Sequence, residues 1–190
     1  MVSSLLLFRH GALDTKENIF CGWLDIHLNK KGIKEAKILA RKMRKEKIDF
    51  AFCSDHLRSK QCLVEVLKYH KKAKVIVDHR LRERHYGALT GHSKLMAKVM
   101  LEEHFQKIHR GYHTNIPSGE SFNQVSKRVF AFMNELLRFM QKNNCSVAIS
   151  AHSASSRLIQ QYLEGLLVKE AEKLEHHPEK YKKYLITFIE

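Results

Sequence analysis

Five short apolar segments alternate along the chain with longer segments whose apolar residues recur at helical spacing. The apolar segments occupy residues 4–9, 49–53, 73–77, 145–150 and 184–189. Between them, the periodicity predicts helices over 29–47, 56–70 and 94–108, one that follows Ser121, and one with Leu158 and Ile159 on its inner face. Strands that alternate with helices form a mostly parallel sheet covered on both faces, so we expect an α/β fold, a three-layer α/β/α sandwich.

Length and composition favour one ordinary globular domain. The chain has 190 residues, of which 44% are hydrophobic, and no Pro- or Gly-rich stretch divides it. We therefore expect a single domain over residues 1–190. The four cysteines show no C-x-x-C pairing and are expected to be reduced thiols. No apolar stretch is long enough for a signal-peptide core or a membrane span, so we expect a cytoplasmic protein that does not bind membranes.

The chain is strongly basic, with 34 Lys and Arg against 20 Asp and Glu and a net charge of +14. Such a potential attracts nucleic acids, membrane surfaces and small phosphorylated molecules alike. The simplest interpretation of the lysines between residues 30 and 45 is a solvated helix face. Because the sequence has no basic motif with interleaved aromatic residues, we expect a small phosphorylated substrate as the partner and not nucleic acid.

Two of the predicted strands end on histidines. "SSLLLFRHG" places Arg9 and His10 at the carboxyl end of the first strand, and "SVAISAHS" places His152 directly after the fourth. Open α/β sheets bind ligands at this end of their strands. Arg58 follows the second strand and offers, with Arg9, guanidinium groups for phosphate oxygens, and the N–H groups of the helix after His152 can bind an anion. The four residues predict a pocket for a dianionic phosphoryl group.

Histidine can also act as a nucleophile in such a pocket. A neutral imidazole attacks phosphorus when arginines neutralise the equatorial oxygens, and His10 is the candidate. Displacement of an alkoxide also needs a proton, for which Glu83 in "LRERHYG" is the candidate donor. Since arginines neutralise the charge, we expect no metal ion. A histidine after a strand is often only structural, so Arg-His-Gly alone does not decide the function.

The motifs and their order resemble those of the histidine phosphatase superfamily, also called phosphoglycerate mutase-like. "LLLFRHG" resembles the superfamily signature, and "ENIFCGWLDIHLNKKGIKEAK" and "LRERHYGALTGHSK" resemble segments of the cofactor-dependent phosphoglycerate mutases. "PSGESF" and "AISAHSASSRLIQQYLEGL" complete the order. The similarity runs from residue 5 to about residue 166 and implies the phosphoglycerate mutase-like fold.

The resemblance implies a role for each matching residue. His10 would be the phosphorylated nucleophile and Glu83 the proton donor and acceptor. The phosphate pocket would consist of Arg9, Arg58 and His152. The positions that in the mutases hold the substrate's carboxylate and second phosphate are matched by Tyr86, Lys94 and Arg110, and a backbone contact to substrate is matched by Cys21 and Gly22.

Four departures from the mutase pattern favour a phosphatase, because three remove substrate contacts and the fourth is a short lid, which admits water. "ALDTKEN" is one residue shorter than the mutase segment and lacks its phosphate-contacting asparagine at that place. Ser153 and Ala154 replace a Gly-Asn pair, which leaves only backbone N–H groups, including that of Ser153, to bind substrate. Gly111 replaces the second of two substrate-binding arginines, and the connection 111–118 is much shorter than the lid of the mutases.

Two activities and one non-catalytic role remain open at this point. The first is an isomerase that interconverts 3- and 2-phosphoglycerate through phospho-His10, with 2,3-bisphosphoglycerate as the cofactor that primes it. The alternative is a phosphatase that hydrolyses a small phosphomonoester by the same phosphohistidine mechanism. The minor alternative is a basic binding module, whose binding would survive His10→Ala. The sequence leaves open whether the chain forms a homo-oligomer and whether residues 170–190 close over the site.

Overall fold

A five-stranded sheet forms the centre of the computed structural model, which describes residues 2–102 and 104–188. The strands are β1 (Val2–Arg9), β2 (Phe50–Cys53), β3 (Lys74–Val77), β4 (Val147–Ala151) and β5 (Tyr181–Thr187). Their order across the sheet is β3-β2-β4-β1-β5. The first four are mutually parallel, and β5 is antiparallel to β1. The prediction of a mostly parallel sheet is confirmed.

The helices follow the strands in the alternating order that the sequence predicts. They are α1 (Lys30–Met43), α2 (Leu57–Leu67), α3 (Lys94–Leu101), α4 (His104–Arg110), α5 (Phe122–Asn143), α6 (Ser153–Glu164) and α7 (Val168–Ala171). The irregular stretch before α3 contains two 3-10 turns, His79–Leu81 and Gly87–Leu89. Within the described residues, no helix has the length and apolar character needed to cross a membrane.

The third predicted helix and the last strand differ from the prediction, and the short helix α7 was not predicted. The single helix expected over 94–108 is two helices, because Glu102 has a φ of +40°, which an α-helix cannot continue. No Gly or Pro marks this break in the sequence. The last strand begins three residues earlier than predicted, at Tyr181, and residue 189 lies outside the described residues.

The sheet is covered on both faces, which confirms the three-layer sandwich. Successive side chains of a strand point to opposite faces, and β1 shows this alternation within the core. Leu5 and Leu7 pack in the cluster formed with α5 and α6. Leu6 and Phe8 pack in the cluster formed with α1 and α2. β1 is therefore buried on both sides between Ser3 and Phe8, and its carboxyl end at Arg9 is partly exposed.

Close backbone packing fixes the segment that follows β1. Asn29 caps α1 by accepting a hydrogen bond from the Gly32 N–H at 2.8 Å. A Cβ built on Gly32 would lie 2.1 Å from the carbonyl oxygen of Ala12. Glu35 of the same helix accepts from the Ala12 N–H at 2.8 Å. The first turns of α1 thus hold the chain directly after His10.

A third, smaller cluster lies beside the main core. It contains Phe20 and Tyr86 from two loops, Ala97 of α3, Phe105 of α4 and Ile116 of the connection 111–118. Tyr86, together with Lys94 at the start of α3, also lines a cleft beside this cluster. The cluster therefore positions one wall of the candidate site.

Candidate active site

The carboxyl ends of β1, β2 and β4 bring the predicted residues together. Arg9 pairs with Ala151 and Cys53 with Ser150, so the residues that follow these strands meet at one edge of the sheet. The rings of His10 and His152 have centroids 5.0 Å apart. The edge opens into a cleft of about 830 Å³, lined by Arg9, His10, Arg58 and Glu83. His152 is fully buried next to His10.

His10 has the protonation state that a nucleophile requires. Its Nδ1 lies 2.9 Å from the carbonyl oxygen of Gly11, which can only accept, so Nδ1 carries the proton and Nε2 keeps its lone pair. Burial, together with the charges of Arg9 and Arg58, lowers the pKa of His10 well below its usual range. The imidazole is therefore neutral at neutral pH.

Both ring nitrogens of His152 have protein partners. Arg58 donates from Nε to His152 Nδ1 at 3.3 Å, so the proton of the neutral ring is on Nε2. Nε2 lies 2.7 Å from the hydroxyl of Ser54, a fully buried residue directly after β2. Burial and the nearby Arg58 charge lower the pKa of His152 well below its usual range. His152 thus orients Arg58 and packs against His10.

The two arginines of the predicted phosphate pocket differ in how many of their N–H groups already bind protein acceptors. Arg58 donates from its terminal nitrogens to the carbonyl oxygens of Leu24 and Gly22, each at 2.6 Å. One N–H of each terminal nitrogen therefore holds the segment around Gly22, and Arg58 also lines the cleft. Arg9 has a buried Nε without a partner among the described residues. That unpaired donor is available to a phosphate oxygen.

Glu83 occupies the amino end of α6. Its Oε2 accepts from the Ser153 N–H and its Oε1 from the Ala154 N–H, both at 3.0 Å. The expectation that these N–H groups remain free for substrate is therefore wrong. The reason is that a buried carboxylate, 8% exposed, needs such donors itself.

Neighbouring groups decide the charge of Glu83. Burial raises the pKa of Glu83, but the Arg84 N–H at 2.9 Å and the charges of Arg9 and Arg58 outweigh this effect and lower it overall. Glu83 is therefore ionised at neutral pH. Its backbone is fixed as well, because its carbonyl oxygen accepts from Trp23 Nε1 at 2.8 Å.

All six residues predicted to bind the rest of the substrate line the cleft: Cys21, Gly22, Tyr86, Lys94, Arg110 and Ser153. Gly22 has a φ of +45°, a left-handed conformation that favours glycine. Burial lowers the pKa of Lys94 and raises that of the Cys21 thiol. Arg110 is drawn toward the C-terminal segment, where its Nη1 donates to Glu172 O at 3.0 Å.

Several residues that line the cleft or lie behind it were not predicted from the sequence. Ser54 directly follows a strand, so the strand-end argument that found His10 could have found it. Asn18 of "ALDTKEN" also lines the cleft, although it is displaced from the mutase position. Arg157 and His176 also line the cleft, but no motif or strand end in the sequence marks them as cleft residues. Residues 175–178 line the cleft, so the C-terminal segment does contribute to the site.

Comparison with known proteins agrees with the motifs. A profile of the histidine phosphatase superfamily (branch 1) matches residues 5–187. A 2,3-bisphosphoglycerate-dependent phosphoglycerate mutase of Methanococcus vannielii is 30% identical over 92% of this chain and 86% of its own length. A mycobacterial glucosyl-3-phosphoglycerate phosphatase has a similar structure, with TM-score 0.83 and 21% identity over 96% of this chain and 90% of that one. An α-ribazole phosphatase of Shigella flexneri matches with TM-score 0.80 and 20% identity over 95% and 89%. At these identities the two structures establish a shared fold only.

Proposed function

Since the chain belongs to the histidine phosphatase superfamily, we propose that it transfers phosphoryl groups through His10 and interconverts 3- and 2-phosphoglycerate. The observation that carries the proposal is the ring of His10, whose Nδ1 donates to Gly11 O, so that Nε2 keeps its lone pair. The curated relative at 30% identity, a mutase, supports the choice of substrate.

The transfer proceeds by displacement at phosphorus. The Nε2 lone pair of His10 forms the N–P bond while the bond from phosphorus to the substrate oxygen breaks. Arg9 Nε, buried and unpaired, donates to an equatorial oxygen. The departing oxygen takes a proton from Glu83. In the second half, an acceptor hydroxyl gives its proton to Glu83 and takes the phosphoryl group, and the bond electrons return to Nε2.

Glu83 must carry a proton before it can donate one. The charges of Arg9 and Arg58 favour its ionised form while no phosphate is bound. A dianionic phosphoryl group beside the same arginines offsets their charge and raises the pKa of Glu83. Substrate binding therefore prepares the acid that the reaction needs.

The cleft has groups that fit 2,3-bisphosphoglycerate, the cofactor of the mutase relative. The unpaired Arg9 Nε fits one phosphate. Lys94, Arg110 and Tyr86 line the outer cleft, where the second phosphate would lie. When bound, the cofactor supplies the phosphoryl group that loads His10.

The alternative proposal is a phosphatase, in which water takes the phosphoryl group from His10. The short connection 111–118 favours it, because a small lid excludes less water from the cleft. Glu83 would then accept the proton of the attacking water, and the residues of the first half would keep their roles.

A phosphorus NMR time course separates the two activities. The protein is mixed with 3-phosphoglycerate and a trace of 2,3-bisphosphoglycerate, and 2-phosphoglycerate and inorganic phosphate are followed together. Growth of the 2-isomer to equilibrium with flat inorganic phosphate supports the mutase, whereas dominant inorganic phosphate supports the phosphatase. If neither product forms, the mutase and a phosphatase that acts on phosphoglycerate are both contradicted. Salt-dependent nucleic acid binding that survives His10→Ala would then support the basic binding module.

A further inference from the structure

The C-terminal segment 172–178 forms part of the cleft wall and is held there by arginines. Three guanidinium groups donate to its backbone carbonyl oxygens: Arg157 Nε to Leu174 at 2.8 Å, Arg110 Nη1 to Glu172 at 3.0 Å and Arg9 Nη1 to His176 at 3.5 Å. These bonds connect the segment to β1, α4 and α6. Its side chains therefore keep a defined position relative to His10.

His176 brings an unsatisfied polar ring to the cleft. Both of its ring nitrogens are buried and have no hydrogen-bond partner among the described residues. Burial and nearby cations lower the pKa of His176 to about 4, so the ring is neutral and has one donor and one acceptor. Unpaired buried polar groups are costly and rare in folded proteins. A ligand oxygen in the cleft would supply the missing partner.

Arg157 brings an unpaired charge to the same region. Only 7% of its surface is exposed, and its Nε is used by Leu174 O. Its two terminal nitrogens have no protein partner within residues 2–102 and 104–188. Arg110, in contrast, has Nη2 3.5 Å from the carboxylate of Glu175. Because buried charges are normally paired, an anion beside the terminal nitrogens of Arg157 would supply the missing partner.

We propose that Arg157 and His176 form a second subsite that binds an oxyanion on the carbon skeleton of the substrate, the carboxylate in the case of phosphoglycerate. The proposal rests on the proposed function, since the phosphoryl group must lie beside His10. Arg157 supplies the positive charge and His176 a hydrogen-bond donor. The C-terminal segment thereby selects phosphomonoesters with a second acidic group over phosphates of neutral alcohols.

Isothermal titration calorimetry with two non-hydrolysable phosphonates tests this subsite. One is the phosphonate analogue of 3-phosphoglycerate, and the other is the analogue of glycerol 3-phosphate, in which a hydroxymethyl group replaces the carboxylate. Wild-type protein should prefer the first by about tenfold or more, as expected for a charge-assisted hydrogen bond. The preference should fall by about tenfold in Arg157→Gln and about threefold in His176→Ala.

His176→Ala is the decisive variant, because its ring has no hydrogen bond to lose in the folded protein. His79→Ala serves as the control, since His79 is exposed in the turn after β3 and lies outside the cleft. Circular dichroism checks that each variant is folded. Equal affinity of the wild type for both analogues, or an unchanged preference in folded His176→Ala, overturns the subsite alone. Failure of both analogues to bind the wild type overturns the proposed function as well.

Discussion

Replacing Ser54 with alanine tests whether the buried pair behind His10 orients the site. The hydroxyl of Ser54 lies 2.7 Å from His152 Nε2 and accepts from the His56 N–H at 3.2 Å. Ser54→Ala leaves both donors buried without a partner. Each unsatisfied buried donor costs about 1–3 kcal/mol, and part of this is relieved by relaxation. We expect the free energy of unfolding to fall by about 2 kcal/mol, which lowers Tm by roughly 4–8 °C in a chain of this size.

The same substitution should also reduce turnover. Without Ser54, the Nε2–H of His152 has no acceptor, so the bond from Arg58 Nε alone holds the orientation of the ring. A loss of about 1.4 kcal/mol in the orientation of Arg58 corresponds to a tenfold lower kcat/KM. Urea unfolding gives the stability, and the phosphorus NMR assay gives the rate.

Ser126→Ala is the matched control for this experiment. Ser126 is also buried, donates to Asn123 O at 2.8 Å and accepts from the Tyr112 hydroxyl at 2.7 Å, but lies in α5 outside the cleft. It should lose similar stability and keep its turnover rate. Unchanged stability and turnover in Ser54→Ala would refute the pairing. Equal loss of turnover in both variants would show that activity follows stability alone.

Three further predictions concern the nucleophile, the pH dependence and the packing of α1. His10→Ala should abolish turnover, whereas Glu83→Gln should slow it by about 10²–10⁴-fold. Wild-type rates in His10→Ala would contradict the mechanism. The folded-state pKa of buried His10 and His152 lies below the unfolded value, so the unfolded chain binds more protons as pH falls below about 6.5. Stability in urea should then decrease by up to about 1.4 kcal/mol per pH unit for each, and equal stability at pH 7.5 and about 5.5 would contradict this. Gly32→Ala should lower both stability and turnover, because the new Cβ would lie 2.1 Å from Ala12 O and must displace it. A crystal structure of the variant in which Ala12 has not moved would exclude that cause.

Much of the fold could be predicted because local pattern and tertiary contacts agree. The alternation of apolar segments and helical periodicity predicts the order of β1 to β5 along the chain. Ser121, which precedes the apolar pattern of α5, caps that helix together with Gln124. The break at Glu102 could not be predicted. It depends on how α3 and α4 pack around Phe20 and Tyr86, contacts that are distant in sequence.

The inner site could be predicted from strand ends, whereas the outer cleft could not. Arg9, His10 and His152 directly follow buried strands, and parallel pairing brings such positions together. His176 reaches the site from a segment 167 residues after Arg9, held by hydrogen bonds to backbone carbonyl oxygens. Such bonds leave no pattern of residue types. The unpaired ring of His176 is visible only once the fold is known.

The contacts of Glu83 explain why the replacement of Gly-Asn by Ser153 and Ala154 matters less than the sequence indicates. Its carboxylate accepts from the N–H groups of Ser153 and Ala154, so these two donors of α6 stabilise the acid residue. A side-chain donor lost at Ala154 is therefore lost at a place that Glu83 already occupies. Under the proposed mechanism the phosphate charge falls mainly to Arg9, whose buried Nε is unpaired, while Arg58 is held by Gly22, Leu24 and His152. Both arginine charges lower the pKa of Glu83 until a phosphate offsets them, so the proton needed by the leaving oxygen is gained when the substrate binds.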